Sequence, residues 1–188
     1  AFTNISDIDL AAGDDNAIIS ATGSLSGTLK GGDGTDDLFL NKSDNIISLN
    51  HEGKGNAGIY TYAKIPEDKN PGPYIFSNSK TDFDGFEVIR LDDGSDIANL
   101  TFDASTEKTT KQPLRIDGGK DLDSINLTLN SNEHQYLITT NQLDNLKAYL
   151  ESPTGKEVTF NFLQTSLTLS GFEEGTLNIP STSPPEFV

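Results

Sequence analysis

Residues Gly31-Gly32-Asp33-Gly34-Thr35-Asp36-Asp37-Leu38-Phe39 read GGDGTDDLF, and the reading of this stretch decides the fold. Three glycines let the backbone turn tightly, and aspartates can hydrogen-bond the turn's own amides. Leu38 and Leu40 then begin an apolar alternation. A glycine-and-aspartate turn therefore feeds a strand, and the fold follows from how often the chain repeats that device.

It repeats it widely. Gly31-Gly32, Asp36, Leu38 and Leu40 match Gly118-Gly119, Asp123, Ile125 and Leu127 at an offset of 87 residues. FDGFEVIRL (Phe83 to Leu91) matches LSGFEEGTL (Leu169 to Leu177) at an offset of 86, and Phe76 and Phe162 each stand nine residues before Gly-Phe-Glu. Asp93-Gly94 and Asp96 give a third echo, leading into ANLTF, and Ala11 to Ile19 keeps Gly13 and Asp15. Two motifs at nearly one offset imply two related modules, about residues 25–105 and 111–180, within one domain spanning residues 1–180. The closing STSPPEFV (181–188) reads as a Pro/Ser linker.

Between the turns the period is two. SINLTLN sets Ile125, Leu127 and Leu129 against Asn126 and Thr128; EVTFNF sets Val158, Phe160 and Phe162 against Thr159 and Asn161; ANLTF sets Ala98, Leu100 and Phe102 against Asn99 and Thr101. Such alternation marks strands with one buried face. The outward residues are mostly Asn, Thr and Ser, as where coils stack and polar side chains form ladders. One stretch differs: Leu143, Leu146 and Leu150 fall at helical spacing, with Thr140 or Asn141 as cap and Pro153 just beyond, so a helix is expected over about Gln142 to Glu151. Ile65 to Tyr74, with three prolines, reads as a loop. Strands of five to six residues with short turns make coils of roughly 22–24 residues. The expected fold is all-β: a right-handed parallel β-solenoid with a short helical insertion. An antiparallel β-sandwich permits the same alternation and is the alternative.

Composition narrows the function. The chain of 188 residues has 29 acidic and 13 basic residues, a net charge of −16, and no Cys, Met or Trp. Disulfides, thiolate metal sites and cysteine nucleophiles are excluded. No basic footprint for nucleic acid exists, and an anionic membrane is repelled. No apolar run is long enough for a membrane span, so no insertion by this segment is expected. Arg90 and Arg115 are expected to pair with acids, and His51 and His134 to lie at the surface. No nucleophile elbow or phosphate loop is present, and the expectation is no enzyme and no catalytic residue.

GGDGTDDLF fits the calcium nonapeptide G-G-x-G-x-D-x-U-x, with Leu38 as the large apolar residue, and so resembles the repeats-in-toxin family. Calcium takes six to eight oxygens, which turn carbonyls and Asp36 can supply. The resemblance implies Ca2+ at Asp33, Asp36 and Asp37, and at Asp121 and Asp123 in the second module. The chain departs from that family in lacking tandem nonapeptides: LNKSDNIIS follows without glycines, and Asp121 stands where the third glycine belongs. The pairing of this turn with a later Gly-Phe-Glu also looks like the β-helical passenger domains of bacterial autotransporter adhesins. There Phe86 and Phe172 would be core residues, and Glu87 and Glu173 corners. That likeness implies a secreted domain on a bacterial cell surface, acting in adhesion, self-association or biofilm formation. Its partners would be a host glycan or surface protein, or identical molecules on neighbouring cells. The contact face is expected at Asn99, Thr101, Asn126, Thr128, Thr159 and Asn161. The alternatives are a calcium-binding spacer module and a polysaccharide-active enzyme on a β-helix.

Overall fold

The computed structural model describes residues 6–20, 25–41, 44–61, 75–76, 81–102 and 113–179. The expected Pro-rich loop at 65–74 and the linker at 181–188 lie outside them. Among the described residues, fifteen strands and two helices follow in order: β1 (Ile8–Asp9), β2 (Asn16–Ser20), β3 (Thr28–Lys30), β4 (Asp37–Asn41), β5 (Asn45–Asn50), β6 (Gly55–Thr61), β7 (Ile75–Phe76), β8 (Thr81–Asp84), β9 (Val88–Arg90), β10 (Ile97–Thr101), β11 (Leu114–Asp117), β12 (Ser124–Thr128), α1 (Ser131–Thr139), α2 (Leu143–Glu151), β13 (Val158–Asn161), β14 (Ser166–Ser170) and β15 (Glu174–Asn178).

The strands form two mixed, largely parallel sheets. Sheet I runs β1-β3-β8-β6-β5-β10-β12-β15, with β7 beside β6; sheet II runs β13-β14-β11-β9-β4-β2. Each glycine-and-aspartate turn passes the chain from one sheet to the other: β1 to β2, β3 to β4, β9 to β10, β11 to β12. A strand that returns to a sheet after a strand in the other runs in its old direction, which is why these neighbours pair in parallel. Antiparallel pairing appears where hairpins break the alternation, at β5–β6–β8, at β6–β7 and at β13–β14. The antiparallel sandwich that the period of two also allowed is therefore not what the chain builds.

The register lines up the alternation. In sheet II, Ala17, Leu38, Ile89, Ile116 and Leu169 form one inward file. In sheet I, Leu49, Leu100, Leu127 and Leu177 form another. One core cluster joins both sheets, with Phe83, Phe86, Phe102, Phe162 and Phe172 fully buried. Phe86 and Phe172 thus occupy the core places expected of them. Phe102 stacks on Phe162 at 4.4 Å and on His51 at 5.9 Å. His51 was expected at the surface; it is buried, because the turn after β5 folds its ring over Phe102.

The helical insertion is a pair. α2 matches the expected helix, but no side chain caps it. Thr140 and Asn141 instead close α1: the Thr140 hydroxyl donates to the Tyr136 carbonyl, and Asn141 takes a left-handed φ of 56°. α1 is capped by Asn130, whose Oδ1 accepts the Glu133 amide at 2.9 Å. The buried residues of α1 are Glu133 and Leu137. The Glu133 carboxylate accepts the amides of Leu163 at 2.7 Å and Gln164 at 2.9 Å, tying the helix to the segment between β13 and β14. Leu146 and Leu150 of α2 join the core, and Gly175 of β15 admits the helix, since a Cβ there would sit 2.7 Å from Leu150 Cδ2.

Candidate functional site

Four turns share one backbone form. Ala11, Gly32, Asp92 and Gly119 have φ of 76°, 115°, 68° and 101°, and two residues on Gly13, Gly34, Gly94 and Asp121 have φ of 137°, 150°, 141° and 84°. The aspartate two further along enters the corner: Asp36, Asp96 and Asp123 are buried and Asp15 is half-buried. Gly119 is required outright, because a Cβ there would be driven into the Asp92 carbonyl of the neighbouring turn.

These carboxylates form two ladders that run from turn to turn. In one, the Asp15 amide donates to Asp36 Oδ1 at 2.9 Å and the Asp36 amide to Glu87 Oε2 at 2.9 Å. In the other, Asn45 donates to Asp96 Oδ1 at 2.5 Å, Asp96 to Asp123 Oδ1 at 2.8 Å, and Asp123 to Glu173 Oε2 at 2.9 Å. Each Gly-Phe-Glu ends a ladder. The amides of Glu87 and Val88 both turn back to the Asp36 carbonyl, as those of Glu173 and Glu174 do to Asp123. Burial pushes Asp96 up to about 7 against the opposing hydrogen bonds from Asn45, with Asp44 and Asp92 adding repulsion. Burial likewise pushes Asp123 up to about 8, opposed by the Asp96 amide and assisted by the charges of Asp96, Glu173 and Asp121. Glu87 is also raised, chiefly by burial.

The five aspartates expected around calcium differ in their surroundings. Asp36 and Asp123 lie inside the corners, whereas Asp33 and Asp121 are exposed. Asp37 pairs with Arg90 at 3.3 Å. Among the described residues, no three His, Asp or Glu side chains gather as an ion would need. The second oxygens of Asp15, Asp36, Asp96 and Asp123 are buried without a hydrogen-bond partner, a shared feature of the corners. Arg90 and Arg115 pair with acids as expected, Arg115 with Glu157 at 2.8 Å.

The expected contact face divides between the sheets. In sheet I, Ser48, Asn99, Asn126 and Thr176 stand in one outward file, and Asn50, Thr101, Thr128 and Asn178 in the next. Asn126 donates to Asn99 Oδ1 at 3.0 Å, Thr176 donates to Asn126 Oδ1, and Asn178 donates to Thr128 at 3.5 Å. Thr159 and Asn161 are instead on β13 of sheet II, where Thr159 meets Thr168 at 2.9 Å and the Asn161 amide donates to Gln142.

No protein-family model, curated protein or solved structure matches this chain. The site is therefore read from its own chemistry.

A groove of about 470 Å3 borders the polar files, between β12–β15 and the end of α2. Ser124, Asn126 and Thr176 line it with Leu150 and Pro153, and Glu151, Glu173 and Glu174 also border it. The Ser124 hydroxyl donates to Glu174 at 3.3 Å. Sequence reasoning found Asn126 through its strand alternation. It missed the groove, because α2 and β15 meet only in three dimensions.

Proposed function

We propose that this is a domain of a secreted bacterial surface adhesin, wound as a right-handed parallel β-solenoid, that binds through the polar face of sheet I. The observation that carries the reading is the in-register array of Ser48, Asn99, Asn126 and Thr176 beside Asn50, Thr101, Thr128 and Asn178. Strands spaced about 4.8 Å apart present these groups at a fixed repeat, which suits a partner that is itself repetitive. A host glycan fits that description, as does the same face of an identical molecule on a neighbouring cell. Many weak polar contacts then add along the stack. The alternation of the chain between two sheets, with parallel neighbours, supports the solenoid.

The test is a screen against glycans and matrix proteins, together with sedimentation over a wide concentration range. Thr101→Lys with Asn178→Lys should abolish the binding found without moving the melting temperature. Absence of both ligand binding and self-association would remove the adhesive role. The unpartnered carboxylate oxygens of the corners favour a second reading, a calcium-stabilised spacer, which melting with calcium and with chelator separates from the first.

A further inference from the structure

The two ends of the stack are built differently. At one end the core is closed by α1 and α2, with Leu137, Leu146 and Leu150 buried beneath them. At the other, β1 and β2 are, among the described residues, the terminal strands of sheets I and II. Between them opens an apolar cavity of about 350 Å3, lined by Ile8, Leu10, Ala17, Ile19, Leu25 and Leu29 among others. Ile18 on β2 is 68% exposed. Stacked repeats need a closed end, because each coil buries its apolar face only against its neighbours.

The ladders run in one direction, and that direction bears on what this end can accept. Oδ1 of Asp36, Asp96 and Asp123 each accepts an amide from the coil before. Asp15 holds the same place in the same turn and, like the other three, keeps its Oδ2 buried and unpaired. Among the described residues no donor reaches its Oδ1. The geometry points to this end as a stacking surface for one further β-coil of the same design. That coil would add a parallel strand to β1 and to β2, fill the cavity with apolar side chains, and donate its corner amide to Asp15.

A second copy of the chain is a poor occupant. Head-to-tail contact would bring the helix-capped end, whose corner amides at Glu173 and Glu174 already turn inward. Twofold contact would set Asp7, Asp9, Asp14 and Asp15 against their own copies, like charge against like.

The test duplicates residues 6–26 ahead of residue 6, since the corners Asp15 and Asp36 are 21 residues apart. The duplicated chain should melt about 2 °C or more above the original, and a scrambled extension of the same composition should not. Asp15→Ala should lower the melting temperature of the duplicated chain more than that of the original, as coupling across the new rung requires. Equal melting of duplicated and scrambled chains would overturn the proposal. So would dimerisation of the original chain at micromolar concentration that Ile18→Lys abolishes, because a second copy would then be the occupant.

Discussion

At the scale of the residue, Asp123 carries the physics of a corner. One of its oxygens accepts the Asp96 amide, the other is buried without a partner, and the charges of Asp96, Glu173 and Asp121 all repel it. Burial penalises the charged form of both Asp96 and Asp123, and repulsion from neighbouring carboxylates adds to it, so the fold favours their protonated forms. Their folded values, about 7 and about 8, lie above the ordinary aspartate value of 3.8. The folded state therefore binds more protons than the unfolded chain between those limits, and stability falls as pH rises from about 4 to 8. Urea midpoints should be higher at pH 5 than at pH 8.5, and Asp123→Asn should flatten the difference. A midpoint that rose with pH would reverse this account of the corner. Gly119→Ala should cost about 2 kcal/mol or more, because the residue combines a positive φ with the Asp92 carbonyl in the way.

At the scale of the element, the helical insertion shows how far the sequence could be read. α2 was visible because three leucines keep its period. α1 was not, because the partner of Leu137 on its buried face is Glu133, which by residue type belongs outside. Its burial is explained by the two amides it accepts from Leu163 and Gln164, groups brought to it by the β13–β14 hairpin. Glu133→Ala should leave both amides without that acceptor and cost about 2–3 kcal/mol in denaturant unfolding. The strands were legible wherever a Gly/Asp turn preceded an alternation, as at β4, β10 and β12. The face at Thr159 and Asn161 was misassigned to the files of Asn99 and Asn126 because period two gives the side of a strand but not its sheet. Asp96 and Asn45 went unread as site residues: only the stacking of corners shows them to be rungs of the Asp123 ladder.

At the scale of the whole molecule, two questions decide the role. The first is charge: a net −16 makes cations natural companions, and bound calcium at 100 times its dissociation constant adds about 2.7 kcal/mol. For a chain of this size that raises the melting temperature by roughly 5–10 °C. A shift of that size, reversed by chelator, is the outcome the spacer reading expects, and coincident melting curves would leave the corners to protons. The second is optical, and it follows from the surroundings of Tyr149. With no tryptophan in the chain, near-ultraviolet absorbance belongs to five tyrosines. The Tyr149 hydroxyl is buried against the helical cap, and burial, with Glu173 nearby, pushes its ionisation up to about 12. Its phenolate band should emerge late in an alkaline titration. The molecule thus contains its own ultraviolet reporter, placed where loosening of the helical pair would show as early ionisation of Tyr149.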